Sequence, residues 1–126
     1  MSKILIDTDL LIDVLRGREE VRIFLLNFAG RSVPCCSVIS VAELYAGMRP
    51  EEQAATDGLL DALVIVPVTQ EIAKVAGCYK RGVKSRRLEL ADCLIAATAY
   101  MEDAALATGN VKDYPMSDIT VINPRI

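Results

Sequence analysis

The 126-residue chain contains no histidine, so acid–base or metal chemistry in it falls to carboxylates, hydroxyls and lysines. Four carboxylates stand where such chemistry is built. Asp7 ends the apolar run Ile4-Leu5-Ile6 and is followed by Thr8 and Asp9. Glu43 lies in Ser40-Val41-Ala42-Glu43, and Asp92 in a stretch of small apolar residues, Ala91 to Ala99. Asp113 closes a polar segment that begins with Thr108 and includes Asn110. Carboxylates gathered at one place repel one another unless a cation neutralises them. An oxygen-only ligand set suits Mg²⁺ or Mn²⁺. Such an ion acidifies bound water and clamps a phosphate oxygen, which removes the need for histidine.

Each acid also has a plain structural explanation. Asp7 suits the N-cap of the helix that follows it. Ser40 and Glu43 match the S-x-x-E capping box. Asp9 and Asp13 are four apart and are expected on one solvent-facing side of a helix. Asp113 suits a turn. Asp92 is harder to dismiss, because its helix reads as buried and a buried carboxylate needs a partner or a cation.

The elements that must position these acids alternate along the chain. Short apolar strands are expected at 3–7, 32–39, 64–69, 104–110 and 119–123. Helices are expected at 10–17, 19–30, 40–48, 51–63, 70–83 and 90–103, with Gly17 and Gly30 as stops. Alternating strands and helices imply a mainly parallel sheet with helices on both faces. Sites in such sheets lie beyond the carboxyl ends of the strands, where Asp7 and the segment 108–113 fall.

The length fits one domain, residues 1–126, and the 52% hydrophobic content supplies a core. No apolar run approaches the ~20 residues that span a bilayer, and acids interrupt the first apolar run at once. The expectation is a soluble cytoplasmic protein with no membrane partner. Cys35, Cys36, Cys78 and Cys93 form no C-x-x-C pair and read as reduced thiols acting as small core hydrophobes. A net charge of −3 argues against an all-over nucleic-acid coat. Lys80, Arg81, Lys84, Arg86 and Arg87 nevertheless crowd into eight residues, as a solvated face or as a phosphate-contacting ridge.

Two families share features of the opening segment. Asp7 and Asp9 fit the first two acids of the D-x-D-x-[TV] motif of haloacid-dehalogenase-type phosphatases, but Leu11 stands where that motif needs Thr or Val. The second resemblance covers essentially the whole chain. The segments ILIDTDLLIDVLRG, SVISVAELYAG, LELADCLIAATAY and ALATGNVKDY, in that order, resemble PIN-domain proteins, and among them the VapC-type toxins of toxin–antitoxin pairs.

That resemblance implies a three-layer α/β/α sandwich and a metal-dependent endoribonuclease. Asp7 and Asp92 would bind Mg²⁺ or Mn²⁺ directly, and Glu43 would bind through water or position the attacking water. The fourth acidic position is open between Asn110 and Asp113. Thr8, Asp9 and Thr108 would support the acids, and the basic run at 80–87 would hold the RNA backbone. A homodimer and a cognate antitoxin are implied as partners. The competing reading is a non-catalytic PIN-like module for RNA binding or assembly.

Overall fold

The computed structural model describes residues 2–28 and 30–124. Met1, Ala29, Arg125 and Ile126 lie outside them, and with them the ends of the expected domain and one position of the expected second helix. The first strand, β1 (Ser2–Ile6), runs through Asp7 into helix α1 (Thr8–Leu15) and then α2 (Glu19–Phe28). Strand β2 (Ser32–Ser37) passes without a loop into α3 (Val38–Gly47). A 3₁₀ turn (Pro50–Glu52) leads to α4 (Gln53–Asp61), β3 (Val64–Val66), α5 (Gln70–Gly82) and α6 (Leu90–Met101). Strand β4 (Ala104–Ala107), a 3₁₀ turn (Val111–Asp113) and β5 (Val121–Ile122) complete the order.

All strand pairs are parallel, in the order β3-β2-β1-β4-β5. Strands buried on both faces need apolar residues at every position, which is why β1 reads Ile4-Leu5-Ile6 rather than alternating. Successive side chains of a strand point to opposite faces. Leu5, Cys35 and Leu106 accordingly enter the core beneath α5 and α6, with Ile72, Ala76, Cys93 and Ala96. Ile4, Ile6, Cys36 and Ala107 enter the opposite core with Leu10, Leu11, Val21 and Leu44. The result is the expected three-layer sandwich. The alanines of α6 let it lie close against α5, and Ala96, Ala97 and Ala99 are fully buried. A Leu5→Ala change in this sheet would cost about 2–5 kcal/mol.

The sheet order places the switch point between β1 and β4, where successive connections leave in opposite directions. The main chain is knitted there: Asp7 N–H donates to the Ala107 carbonyl (2.9 Å) and Thr108 N–H to that of Ile122 (2.9 Å). Asp7 and Thr108 thus emerge side by side from the centre of the sheet.

Three expectations change. Helix α3 begins at Val38, and its N-cap is Ser37, whose hydroxyl accepts from Ile39 N–H (3.0 Å). Ser40 is therefore inside the helix, because β2 turns straight into it, and the Ser40–Glu43 capping box does not form. Asp13 is not solvent-facing: it is 5% exposed and pairs with Arg18 at 3.2 Å. Cys78 is exposed rather than packed in the core, unlike the buried Cys35, Cys36 and Cys93. Gly17 ends α1 as expected, with φ +75°, a conformation that favours glycine. Among the described residues no helix is long and apolar enough to cross a membrane.

Candidate active site

Asp7 caps α1, as its sequence position suggests, but the cap uses one of its two oxygens. Its Oδ1 accepts from Thr8 N–H at 2.8 Å. Its Oδ2 accepts from the Thr108 hydroxyl at 2.7 Å and from the Tyr114 hydroxyl at 3.0 Å. The Thr108 hydroxyl is itself aimed, because its oxygen accepts from Asn110 N–H at 3.0 Å. The contribution of Asn110 here is thus made by its backbone.

Tyr114 ties the first strand to the sixth helix. Its hydroxyl, buried with a residue exposure of 4%, lies 3.4 Å from Asp92 Oδ1 as well as 3.0 Å from Asp7 Oδ2. One hydroxyl thus spans two carboxylates from elements 85 residues apart in sequence (92 minus 7). Asp92 sits in the first turn of α6, where the helix dipole favours a negative charge.

Glu43 reaches the site from α3. Its Oε1 lies 2.6 Å from Thr8 Oγ1, and Ser40 Oγ lies 2.8 Å from the same atom. A carboxylate only accepts, so the Thr8 proton goes to Glu43. Thr8 therefore couples Glu43 to the residue next to Asp7. Asp9, which its spacing put on a solvent-facing side and the family resemblance made a support of the acids, turns to the 108–110 loop: its Oδ2 accepts from Gly109 N–H at 3.0 Å and its Oδ1 lies 3.5 Å from the Thr108 hydroxyl.

The electrostatics record the crowding. Burial first, then the negative charges of Asp7, Asp113 and Glu43, push the Asp92 carboxyl up to about 6, against the pull of the Tyr114 hydroxyl. Burial also raises Asp7, while the hydroxyls of Thr108 and Tyr114 and the Thr8 N–H pull it back. Burial, then the charges of Asp7, Asp92 and Asp9, raise the Tyr114 hydroxyl, so it remains a donor.

Asp113 follows a different course. Its carboxylate pairs with Arg86 at 3.5 Å, and the Arg86 guanidinium also donates to the Lys112 carbonyl. Asp113 acts on Asp92 through its charge, and Arg86 holds it. The other basic residues do not converge with it. Lys80 donates to the Leu88 carbonyl at 2.5 Å, Arg81 lies 3.7 Å from Cys78 Sγ, and Lys84 and Arg87 are exposed.

Tyr114 and Ser40 are the site residues that sequence reasoning missed. The one available signal for Tyr114 was a hydroxyl-bearing aromatic directly after the last acid, in Lys112-Asp113-Tyr114. Ser40 was seen, but in the wrong role.

Among the described residues no three His, Cys, Asp or Glu side chains stand close enough together to enclose a metal ion. The arrangement suits an ion held by few protein ligands. Mg²⁺ keeps several waters and is commonly bound by one or two carboxylates plus substrate phosphates. Asp7 and Asp92, brought to one hydroxyl, are such a pair, and the raised Asp92 marks a place where a cation would relieve repulsion.

Comparison with known proteins places the chain in a family. The PIN domain family profile matches residues 4–113. Ribonuclease VapC10 of Mycobacterium tuberculosis is 41% identical over 115 residues, covering 90% of this chain and 86% of that protein. Ribonuclease VapC19 of the same organism is 37% identical over 116 residues, covering 89% and 92%. The structure of a toxin–antitoxin complex from Klebsiella pneumoniae superposes with a TM-score of 0.82 at 29% identity, over 97% of this chain and 98% of that one.

Proposed function

Because this chain belongs to the PIN domain family, we propose that it is a metal-dependent endoribonuclease, a hydrolase of RNA phosphodiester bonds that acts as the toxin of a toxin–antitoxin pair. The observation that carries the reading is the convergence of Asp7 and Asp92 on the Tyr114 hydroxyl at the switch point of the sheet.

Asp7 and Asp92 would hold Mg²⁺ or Mn²⁺, with Glu43 reaching it through water. Bound there, the ion supplies Lewis acidity toward the phosphate and acidifies a water molecule. The protein's own groups do the rest. Thr108 and Tyr114 fix the Asp7 carboxylate in one orientation by donating to Oδ2, so its geometry is set before substrate arrives. Thr8 holds Glu43 at the edge of the site, where its exposed carboxylate can orient the attacking water. Asp113 takes the fourth acidic position in preference to Asn110, because its charge already bears on Asp92. Arg86, the member of the basic run attached to the acid loop, would contact the RNA backbone there. Lys80, Arg81, Lys84 and Arg87 would add weaker, exposed phosphate contacts.

The partners follow from the same reading: RNA as substrate, an antitoxin that covers the site, and a second copy of the chain in a homodimer. The non-catalytic alternative predicts a broken acid set, whereas Asp7, Glu43 and Asp92 are all present and linked by hydroxyls. Expression in a bacterial host without an antitoxin tests the reading. Growth arrest that is relieved by Asp7→Asn or Asp92→Asn supports it. Arrest that persists in the double variant Asp7→Asn/Asp92→Asn shows that the acids are not its cause.

A further inference from the structure

We infer that the cleft between α1 and α3 is a subsite for the nucleobase next to the scissile phosphate, taking a base with an exocyclic amino group; this rests on the ribonuclease reading above. Thr8, Ile12, Leu15 and Arg16 recur at helical spacing and share one side of α1. Ser40, Glu43, Leu44 and Gly47 do the same on α3. The two sides meet at the catalytic end, where Thr8 and Glu43 are 2.6 Å apart. Beyond that contact they part around a cleft of about 180 Å³. Glu43 borders both the acid site and the cleft, so the two are continuous.

The position and the walls favour a base. Ile12 lies one turn beyond Thr8, about 6 Å along the helix, close to one nucleotide step of an extended strand. Ile12, Leu15 and Met48 give apolar walls, and Arg16 offers a guanidinium plane of the kind on which unstacked bases rest. The carboxylates of Glu43 and Glu52 would repel a phosphate but accept from the N–H groups of a base edge. Glu52 Oε1 takes the Arg49 N–H at 2.7 Å, which orients that carboxylate and leaves its second oxygen for a ligand. Gly47 lines the cleft, and a Cβ at that position meets nothing within 4 Å, so a larger side chain there crowds the rim of the cleft without straining the fold.

Gly47→Leu is therefore a filling variant that also favours the helix. The probes are fluorescein-labelled single-stranded RNA hexanucleotides carrying G, C, A, U or no base at each position in turn. Binding is followed by anisotropy in EDTA, apart from cleavage, and the same RNAs are then cleaved with Mg²⁺. The parent protein should bind G, C or A, the bases with an exocyclic amino group, at one position roughly tenfold more tightly than U or the abasic RNA. Gly47→Leu should bind all five RNAs within about twofold, with melting no lower than the parent's and unchanged Mg²⁺ affinity, since it leaves Asp7 and Asp92 in place. Parental discrimination retained by Gly47→Leu would overturn the subsite, as would equal binding of all five RNAs by the parent. Unchanged RNA binding with lost inhibition by the antitoxin would make the cleft a protein-docking surface instead. Base discrimination without cleavage by either protein would leave the subsite standing and sink the nuclease reading.

Discussion

Removing the Asp92 carboxylate should stabilise the metal-free protein while abolishing its activity. Asp92 is lifted from the ordinary 3.8 to about 6, by burial and then by the charges of Asp7, Asp113 and Glu43. A shift of that size is worth roughly 3 kcal/mol at full strength. Asp92 is only half-buried and water screens part of the repulsion, which leaves about 1–2 kcal/mol. The folded state binds this proton more tightly than the unfolded chain does. The cost of the charged form is therefore absent below the ordinary 3.8, grows toward about 6 and is complete above it. Asp92→Asn keeps the shape and an acceptor for Tyr114 but carries no charge. In EDTA at pH 7.5 it should melt roughly 3–8 °C above the parent, and the gain should vanish by about pH 4. Saturating Mg²⁺ should reverse the order at pH 7.5, because the parent alone keeps both carboxylates for the ion. Thermal melts at the two pH values, with EDTA and with Mg²⁺, decide it. An Asp92→Asn protein less stable than the parent in EDTA at pH 7.5, or a gain independent of pH, would refute the claim that crowded charge destabilises the site.

Further outcomes follow from the same contacts. Tyr114→Phe removes the hydroxyl shared by Asp7 and Asp92, and should weaken Mg²⁺ or Mn²⁺ affinity by roughly 10- to 100-fold in calorimetric titration, with a folding loss of about 1 kcal/mol. Asp113→Asn should lower cleavage and lower the Asp92 pKa, while Asn110→Ala, which leaves the backbone N–H on Thr108, should change cleavage little; NMR titration and cleavage rates measure the pair. Arg86→Gln should weaken RNA binding and reduce the slope of log affinity against log salt by about 0.7, the value for one phosphate contact on a single strand, as read by anisotropy at several salt concentrations.

The fold was legible because its signals are local. Unbroken apolar runs mark strands covered on both faces, and the 3.6-residue pattern marks the helices between them. Asp7 was legible for the same reason: an acid directly after Ile4-Leu5-Ile6 must stand at a strand end. Thr8 and Thr108 were expected as supports only through the family resemblance, and Tyr114 was not expected at all. Tyr114 serves Asp7 from 107 positions away, and Thr108 from 101, so these contacts exist only once β1 and β4 are neighbours. Ser40 misled because both Ser37 and Ser40 are good N-caps. The helix starts at the earlier one, since β2 enters it without a loop, and this frees Ser40 to face Thr8. The acids at 9 and 13 misled through their spacing, because the α1 surface that looks polar in sequence is covered by Arg18 and the 108–110 loop. The Arg86 contact with the acid loop has no sequence signature, as it depends on how the 83–89 segment folds back over Lys112.

The most direct test of the central claim is cleavage of total cellular RNA by the purified, antitoxin-free protein. It is run with Mg²⁺ or Mn²⁺, with EDTA, and with Asp7→Asn as the control. Discrete fragments are expected with either metal and should disappear with EDTA and with Asp7→Asn. Folded protein that leaves RNA intact under both metals, or fragments that survive in the Asp7→Asn variant, would contradict it.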